Sequence, residues 1–95
     1  MAVVVETLVP RASKAESDLL DEKIGAVFQE IGGPPAGLMV HIGRPSGDGL
    51  LLCEVWRTEA EMRSFYDQVL LPKISEVGLE AGEPAISPLW QFGRP

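Results

Sequence analysis

Leu50-Leu51-Leu52-Cys53-Glu54-Val55-Trp56-Arg57-Thr58-Glu59-Ala60-Glu61-Met62-Arg63-Ser64-Phe65-Tyr66 contains the change of hydrophobic period that decides the fold. An apolar run through Trp56 reads as a strand. Thr58-Glu59-Ala60-Glu61 then has the Thr-x-x-Glu form of a capping box. Behind it Met62, Phe65, Tyr66, Val69 and Leu70 recur at i, i+3, i+4, i+7 and i+8, the apolar stripe of an amphipathic helix. A strand therefore delivers the chain into a helix within two residues, with Trp56 at the joint. Pro72 removes a backbone donor and crowds the preceding turn, so the helix is expected to kink or restart there, with a short helix over Lys73–Val77 ended by Gly78.

Working outward, Gly37–Gly43 (GLMVHIG) reads as the strand before it, with Leu38, Val40 and Ile42 on one face and Met39 and His41 on the other. Arg44-Pro45-Ser46-Gly47-Asp48-Gly49 has loop composition and hairpin length, which makes the two strands antiparallel neighbours. A loop symmetric about Ser46–Gly47 pairs His41 near Leu52 and places it on the face of Glu54 and Trp56. A one-residue slip places it with Cys53 and Val55 instead. The sequence is compatible with both registers.

Upstream, Ala2–Val9 is valine-rich and bounded by Pro10, a first strand apolar on both faces. Ser13-Lys14-Ala15-Glu16 is a second capping box. It opens a helix whose stripe is Leu20, Ile24, Val27, Phe28 and Ile31 and whose stop is Gly32-Gly33-Pro34-Pro35. Downstream, Ile86–Phe92 reads as a last strand, with Pro88 confining it to an edge or a bulge. The order is β-α-β-β-α-β, the α+β ferredoxin-like arrangement: a four-stranded antiparallel sheet with its helices on one face. Residues 1–95 are expected to form a single domain. The other sheet face is left bare and apolar, and such a face usually marks an interface. A homodimer is expected, with two sheets packed face to face into a closed α+β barrel.

Composition narrows the partners. The formal charge of −6 and scattered Lys and Arg disfavour nucleic acid and anionic membrane surfaces. No apolar run approaches the ~20 residues that span a bilayer. The first residues lack a basic leader and reach Glu6 early, so the expected location is the cytoplasm. Cys53 is the only cysteine, which excludes an intrachain disulfide and a Cys-rich metal site; it is expected to be buried and inert. With one histidine and no ligand spacing, no metal site is expected.

The stretch Cys53–Gly78, together with Gly37-Leu38-Met39-Val40-His41, resembles the antibiotic-biosynthesis monooxygenase-like branch of the dimeric α+β barrel superfamily. Shared features are the acidic-Val-Trp strand end, the Thr-capped helix with an inward Phe, the Leu-Pro pair with a Gly-ended turn, and the Gly-x-x-x-His strand. The resemblance implies a small cofactor-independent enzyme of secondary or aromatic metabolism, acting on an aromatic or polyketide-like molecule without metal, haem, flavin or nicotinamide. A monooxygenase-like reaction is the leading expectation. A cyclase or isomerase on the same substrate class, and a non-catalytic ligand-binding or assembly domain, are the alternatives. Two departures narrow the family comparison. The chain has no Asn, so the Asn-Trp-His set of haem-degrading members has no asparagine to fall on. The helix position where quinol-type members carry His holds Phe65 or Tyr66.

His41 reads either as a general base or as a histidine satisfied by a backbone or Tyr partner. Glu54, a carboxylate in an apolar strand, needs a partner, for which His41 and Arg57 are the near choices. Tyr66, on the helical stripe, either reaches the site with its hydroxyl or packs in the core. These three are the expected catalytic set. Trp56, Trp90, Met39, Phe28 and Phe65 are the expected substrate walls, each equally at home as core or interface packing.

Overall fold

The computed structural model describes residues 1–93. Its elements are β1 (Val3–Val9), α1 (Lys14–Ile31), β2 (Leu38–Ser46), β3 (Gly49–Trp56), α2 (Glu59–Phe65), a π turn (Tyr66–Leu70), α3 (Leu71–Glu76) and β4 (Ala85–Pro88). The sheet runs β2-β3-β1-β4, antiparallel throughout, which is the ferredoxin-like order.

Alternation along the two central strands explains the core. Val3, Val5, Thr7 and Val9 of β1 and Leu50, Leu52, Glu54 and Trp56 of β3 are all buried. The apolar members of this set form one cluster with Leu20 and Ile24 of α1 and Met62, Phe65, Tyr66, Leu70 and Ile74 from the second helical segment. Among the described residues, the opposite sheet face lacks such cover. Ile42 and Leu8 remain 52% and 40% exposed there, and Val4, Leu51, Cys53 and Val55 are only partly buried. Cys53 is thus not in the core; its Sγ lies 3.8 Å from a Glu6 carboxylate oxygen on that face.

The α1 capping box forms as read, whereas at α2 only the Thr58 half forms, because the Glu61 carboxylate takes the Thr58 hydroxyl and Arg57 instead of the Thr58 N–H. The Ser13 hydroxyl accepts from the Glu16 N–H while the Glu16 carboxylate accepts from the Ser13 N–H, at 3.1 and 3.0 Å. Gly32, in the left-handed region, ends α1. Thr58 caps α2 by accepting from the Glu61 N–H at 3.2 Å.

Pro72 interrupts the second helix upstream of itself. The Leu71 N–H reaches back five residues to the Tyr66 carbonyl, which widens the helix by one residue before the proline. Pro72 then falls in the first turn of α3, where no donor is required.

Three further details differ from the sequence reading. The hairpin loop is shorter than its composition suggests: Arg44, Pro45 and Ser46 belong to β2, and Ser46 pairs with Gly49 across a two-residue turn. Gly47 has φ 58°, a conformation that glycine adopts without a Cβ penalty. Composition misled here because Pro45 lies on an edge strand, where a missing ladder donor is tolerated. The second difference lies at the other end of β2. Leu38 pairs with Trp56 and Val40 with Val55, leaving Met39 as a bulge. The bulge puts Leu38 on the same face as His41 instead of the opposite one. Third, β4 ends at Pro88; Leu89 donates one further bond to Ala2, and residues 89–93 are not strand.

Candidate active site

His41 and Glu54 are directly opposite each other on β2 and β3. This register lies two residues from the symmetric-loop expectation and therefore keeps the same face. The His41 Nδ1 is 2.8 Å from Glu54 Oε2. Glu54 is the buried end of the pair, with its side chain 2% exposed, whereas His41 is 40% exposed. The other carboxylate oxygen, Oε1, accepts from the Trp56 indole N–H at 2.9 Å and from the Tyr66 hydroxyl at 3.2 Å. Tyr66 in turn is 2.8 Å from the Thr7 hydroxyl. Since the Tyr66 proton is committed to Glu54, Thr7 is the donor in that bond.

Four separate segments build this network. Glu54 and Trp56 share a face at i, i+2; β2 brings His41 across; the start of the π turn brings Tyr66; β1 brings Thr7. Among the described residues, no buried side-chain polar atom lacks a partner. A buried carboxylate is tolerable only under such full satisfaction. Arg57, the other near partner considered for Glu54, instead pairs with Glu61 at the surface.

The electrostatics follow from the geometry. The His41 pKa is raised by its hydrogen bond to Glu54, against the opposing effect of burial, with the charges of Glu54 and Asp21 adding to the rise. Burial pushes the Tyr66 phenol far up, and the Glu54 charge pushes it further. Tyr66 is consequently a donor to Glu54 rather than an acid or base near neutrality. An acceptor-only carboxylate against Nδ1 assigns the neutral imidazole proton to that nitrogen. Nε2 is left to act on a ligand.

His41 opens onto a cavity of about 640 Å³ between α1 and the β2–β3 hairpin. Leu20, Ile24, Phe28, Leu38, Leu52 and Phe65 make its apolar walls, and Asp21, Lys14 and Arg44 add charge. Phe28, Phe65 and Trp56 pack in sequence as tilted ring pairs, with centroids 6.0 and 5.6 Å apart. Only the first two line the cavity; Trp56 is fully buried behind them.

The structure thus gathers His41, Glu54, Phe28 and Phe65 at one cavity and places Tyr66 and Trp56 in the layer that holds Glu54. Met39 and Trp90 are not part of it. The bulge turns Met39 out to 46% exposure, and Trp90, beyond the end of β4, is 89% exposed. Sequence reasoning missed Thr7 and Asp21. Thr7 had a signal: it lies in period-two phase with Val5 and Val9, a lone hydroxyl on a buried strand face. Asp21 had none, being one of many acidic residues along α1. Among the described residues, no three His, Cys, Asp or Glu side chains converge as a metal site would require.

No protein-family model and no curated protein matches the sequence. Solved structures do match in fold. SnoaB, a cofactor-independent oxygenase from Streptomyces nogalater, superposes with a TM-score of 0.63 at 16% identity, over 96% of this chain and 94% of its own. Rv0793 from Mycobacterium tuberculosis gives 0.56 at 22% identity, over 98% and 96%. A Deinococcus radiodurans protein, provisionally named an antibiotic biosynthesis monooxygenase, gives 0.60 at 11% identity, over 100% and 98%. The chain has their fold. At these identities the likeness speaks for the ferredoxin-like architecture and carries no residue roles with it.

Proposed function

We propose that this protein is a cofactor-independent, monooxygenase-like enzyme acting on an aromatic or polyketide-type phenol, with His41 as its general base. One observation carries the reading: the histidine lies on the wall of an apolar cavity, with Nδ1 held 2.8 Å from a buried carboxylate. A neutral imidazole so oriented presents a lone pair at Nε2, and the carboxylate stabilises the imidazolium that forms when a proton is taken. The fold shared with a cofactor-independent oxygenase supports the same reading.

In the proposed reaction Nε2 removes a proton from the CH2 carbon of the keto tautomer of an electron-rich phenol. The resulting carbanion-like centre, a former CH2 carbon, bonds to one oxygen atom of dioxygen taken from solution. The imidazolium returns its proton to the terminal oxygen, which gives a hydroperoxide. Loss of water from that hydroperoxide leaves a carbonyl, so CH2 plus O2 becomes C=O plus H2O. The apolar walls exclude bulk water from the anion. A cyclase or isomerase would share the first proton transfer and consume no oxygen, so oxygen uptake separates the two chemistries.

The working unit is proposed to be a homodimer of single-domain chains. Ile42, Leu8, Val4, Leu51 and Val55 support this, because they leave an apolar sheet face without cover from the helices.

His41→Ala tests the catalytic assignment. With hydroxyanthrone-type phenols as substrates and an oxygen electrode as readout, turnover should fall by about 10²-fold or more. Turnover at the unsubstituted rate would overturn the assignment.

A further inference from the structure

Gly25 lies in the interior of α1, where a glycine is less favourable than an alanine because it loses more backbone freedom on folding. Packing within the protomer does not require it. A Cβ built there meets no heavy atom within 4 Å. Gly25 nevertheless lines the cavity, between Asp21 and Phe28 on the α1 wall. On the sheet wall the cavity is again lined by a glycine, Gly43, two residues beyond His41. A side chain at Gly43 would press on Leu50 Cδ1 at 3.3 Å. Bare backbone is therefore exposed to the cavity from both α1 and β2, with apolar side chains between.

We infer that Gly25 is a specificity-determining residue, whose missing side chain lets the flat face of a ring ligand lie against the α1 backbone within reach of His41. The inference rests on the reading of this cavity as the substrate site, and it adds which shape the site selects. A helix backbone stripped of one Cβ offers a shallow, flat recess. Part of a ring face can approach the backbone there at van der Waals distance, which a Cβ would prevent. A flexible chain can bend around an added methyl group, whereas a rigid ring must withdraw from it. The penalty of overpacking therefore falls on the planar ligand.

The test is Gly25→Ala, read by melting temperature and by isothermal titration with two probes, alizarin (a planar fused-ring phenol) and n-tetradecanol (a flexible chain). The expected result is a split in sign. The free protein should gain about 4–8 °C in melting temperature. Its affinity for alizarin should fall by about 5- to 100-fold while that for tetradecanol changes less than about two-fold. A variant that melts lower than the parent would overturn the claim that no neighbour requires glycine. A variant that melts higher but binds alizarin as the parent does would overturn the specificity role and leave the proposed function standing. Binding of neither probe by the parent protein would overturn both.

Discussion

Glu54→Gln should convert the site from a proton acceptor to a proton donor without rearranging the fold. Oε1 of Glu54 already serves two donors, the Trp56 indole and the Tyr66 hydroxyl, at 2.9 and 3.2 Å. A glutamine must keep its carbonyl oxygen there, because both donors are buried and each would cost about 1–3 kcal/mol if left unpaired. Its NH2 group is then forced to the Oε2 position, 2.8 Å from His41 Nδ1. Two donors cannot face each other, so the imidazole must present a lone pair at Nδ1 and carry its proton on Nε2. The nitrogen facing the ligand loses its basic lone pair. In a hydrolase triad the equivalent tautomer inversion lowers turnover by about 10⁴-fold, and a fall of about 10²–10⁴-fold is expected here. The structural penalty is smaller. Three charge-assisted bonds become neutral ones, offset in part because a buried charge no longer has to be desolvated, for a net loss of about 1–2 kcal/mol or about 4–16 °C in melting temperature. Two-dimensional nitrogen–proton correlation of the imidazole reads the tautomer with no substrate present. The parent should show the Nδ1–H form when neutral, and the variant the Nε2–H form. A variant that retained Nδ1–H, or that turned over normally after the switch, would refute the reasoning.

The pH profile of kcat/KM should rise through an acid limb above the pH expected of an ordinary histidine. The His41 pKa is raised, and the base works only when neutral; a limb at or below pH ~6.5 would contradict the Glu54 pairing. The same shift makes His41 favour folding at acidic pH, a contribution present below its unfolded pKa and lost as pH rises through the folded one. Thermal melts of the parent and of His41→Ala should therefore converge as pH rises past that limb. Thr7→Val removes the donor to Tyr66 and should lower stability by about 1 kcal/mol, measured by urea unfolding, while Tyr66 keeps its bond to Glu54. Light scattering at micromolar concentration should give a dimer mass for the parent, and Ile42→Lys, which plants a charge on the open sheet face, should shift it toward the monomer.

The architecture was legible because each element announces itself in its own residues. Both Ser/Thr-x-x-Glu boxes, the two apolar stripes and the valine-rich strand needed no long-range information. What escaped was set by contacts between segments. Pro45 looks like a loop residue until β2 is known to be an edge. Leu38 and His41 look out of phase until a bulge separates them. The His41–Glu54 pair was legible as a possibility tied to register. Its direct opposition depends on a turn only two residues long, which loop composition overestimated. Thr7 was visible in phase with the buried valines, but its meaning came from Tyr66, 59 residues away. Met39 and Trp90 have the side-chain chemistry of substrate walls. Their exposure follows from backbone features, a bulge and a strand that stops at Pro88, that side-chain type does not encode.

The bulge at Met39 also determines from which end of β2 the position of the histidine is counted. From the Gly47–Asp48 turn, pairing runs without interruption back to Val40 and places His41 opposite Glu54. At the far end, Gly37 is fixed independently: its carbonyl accepts from the Arg57 N–H at 2.7 Å, and its φ of 89° suits glycine alone. Met39 takes up the difference of one residue between these two anchors. Lengthening or shortening the Gly33–Ala36 linker therefore leaves the dyad untouched. A one-residue insertion between His41 and the turn that keeps a two-residue turn, by contrast, would shift the register by one and carry the imidazole to the far side of the sheet. Natural length variation compatible with this site should accumulate before the strand and be absent between His41 and the turn.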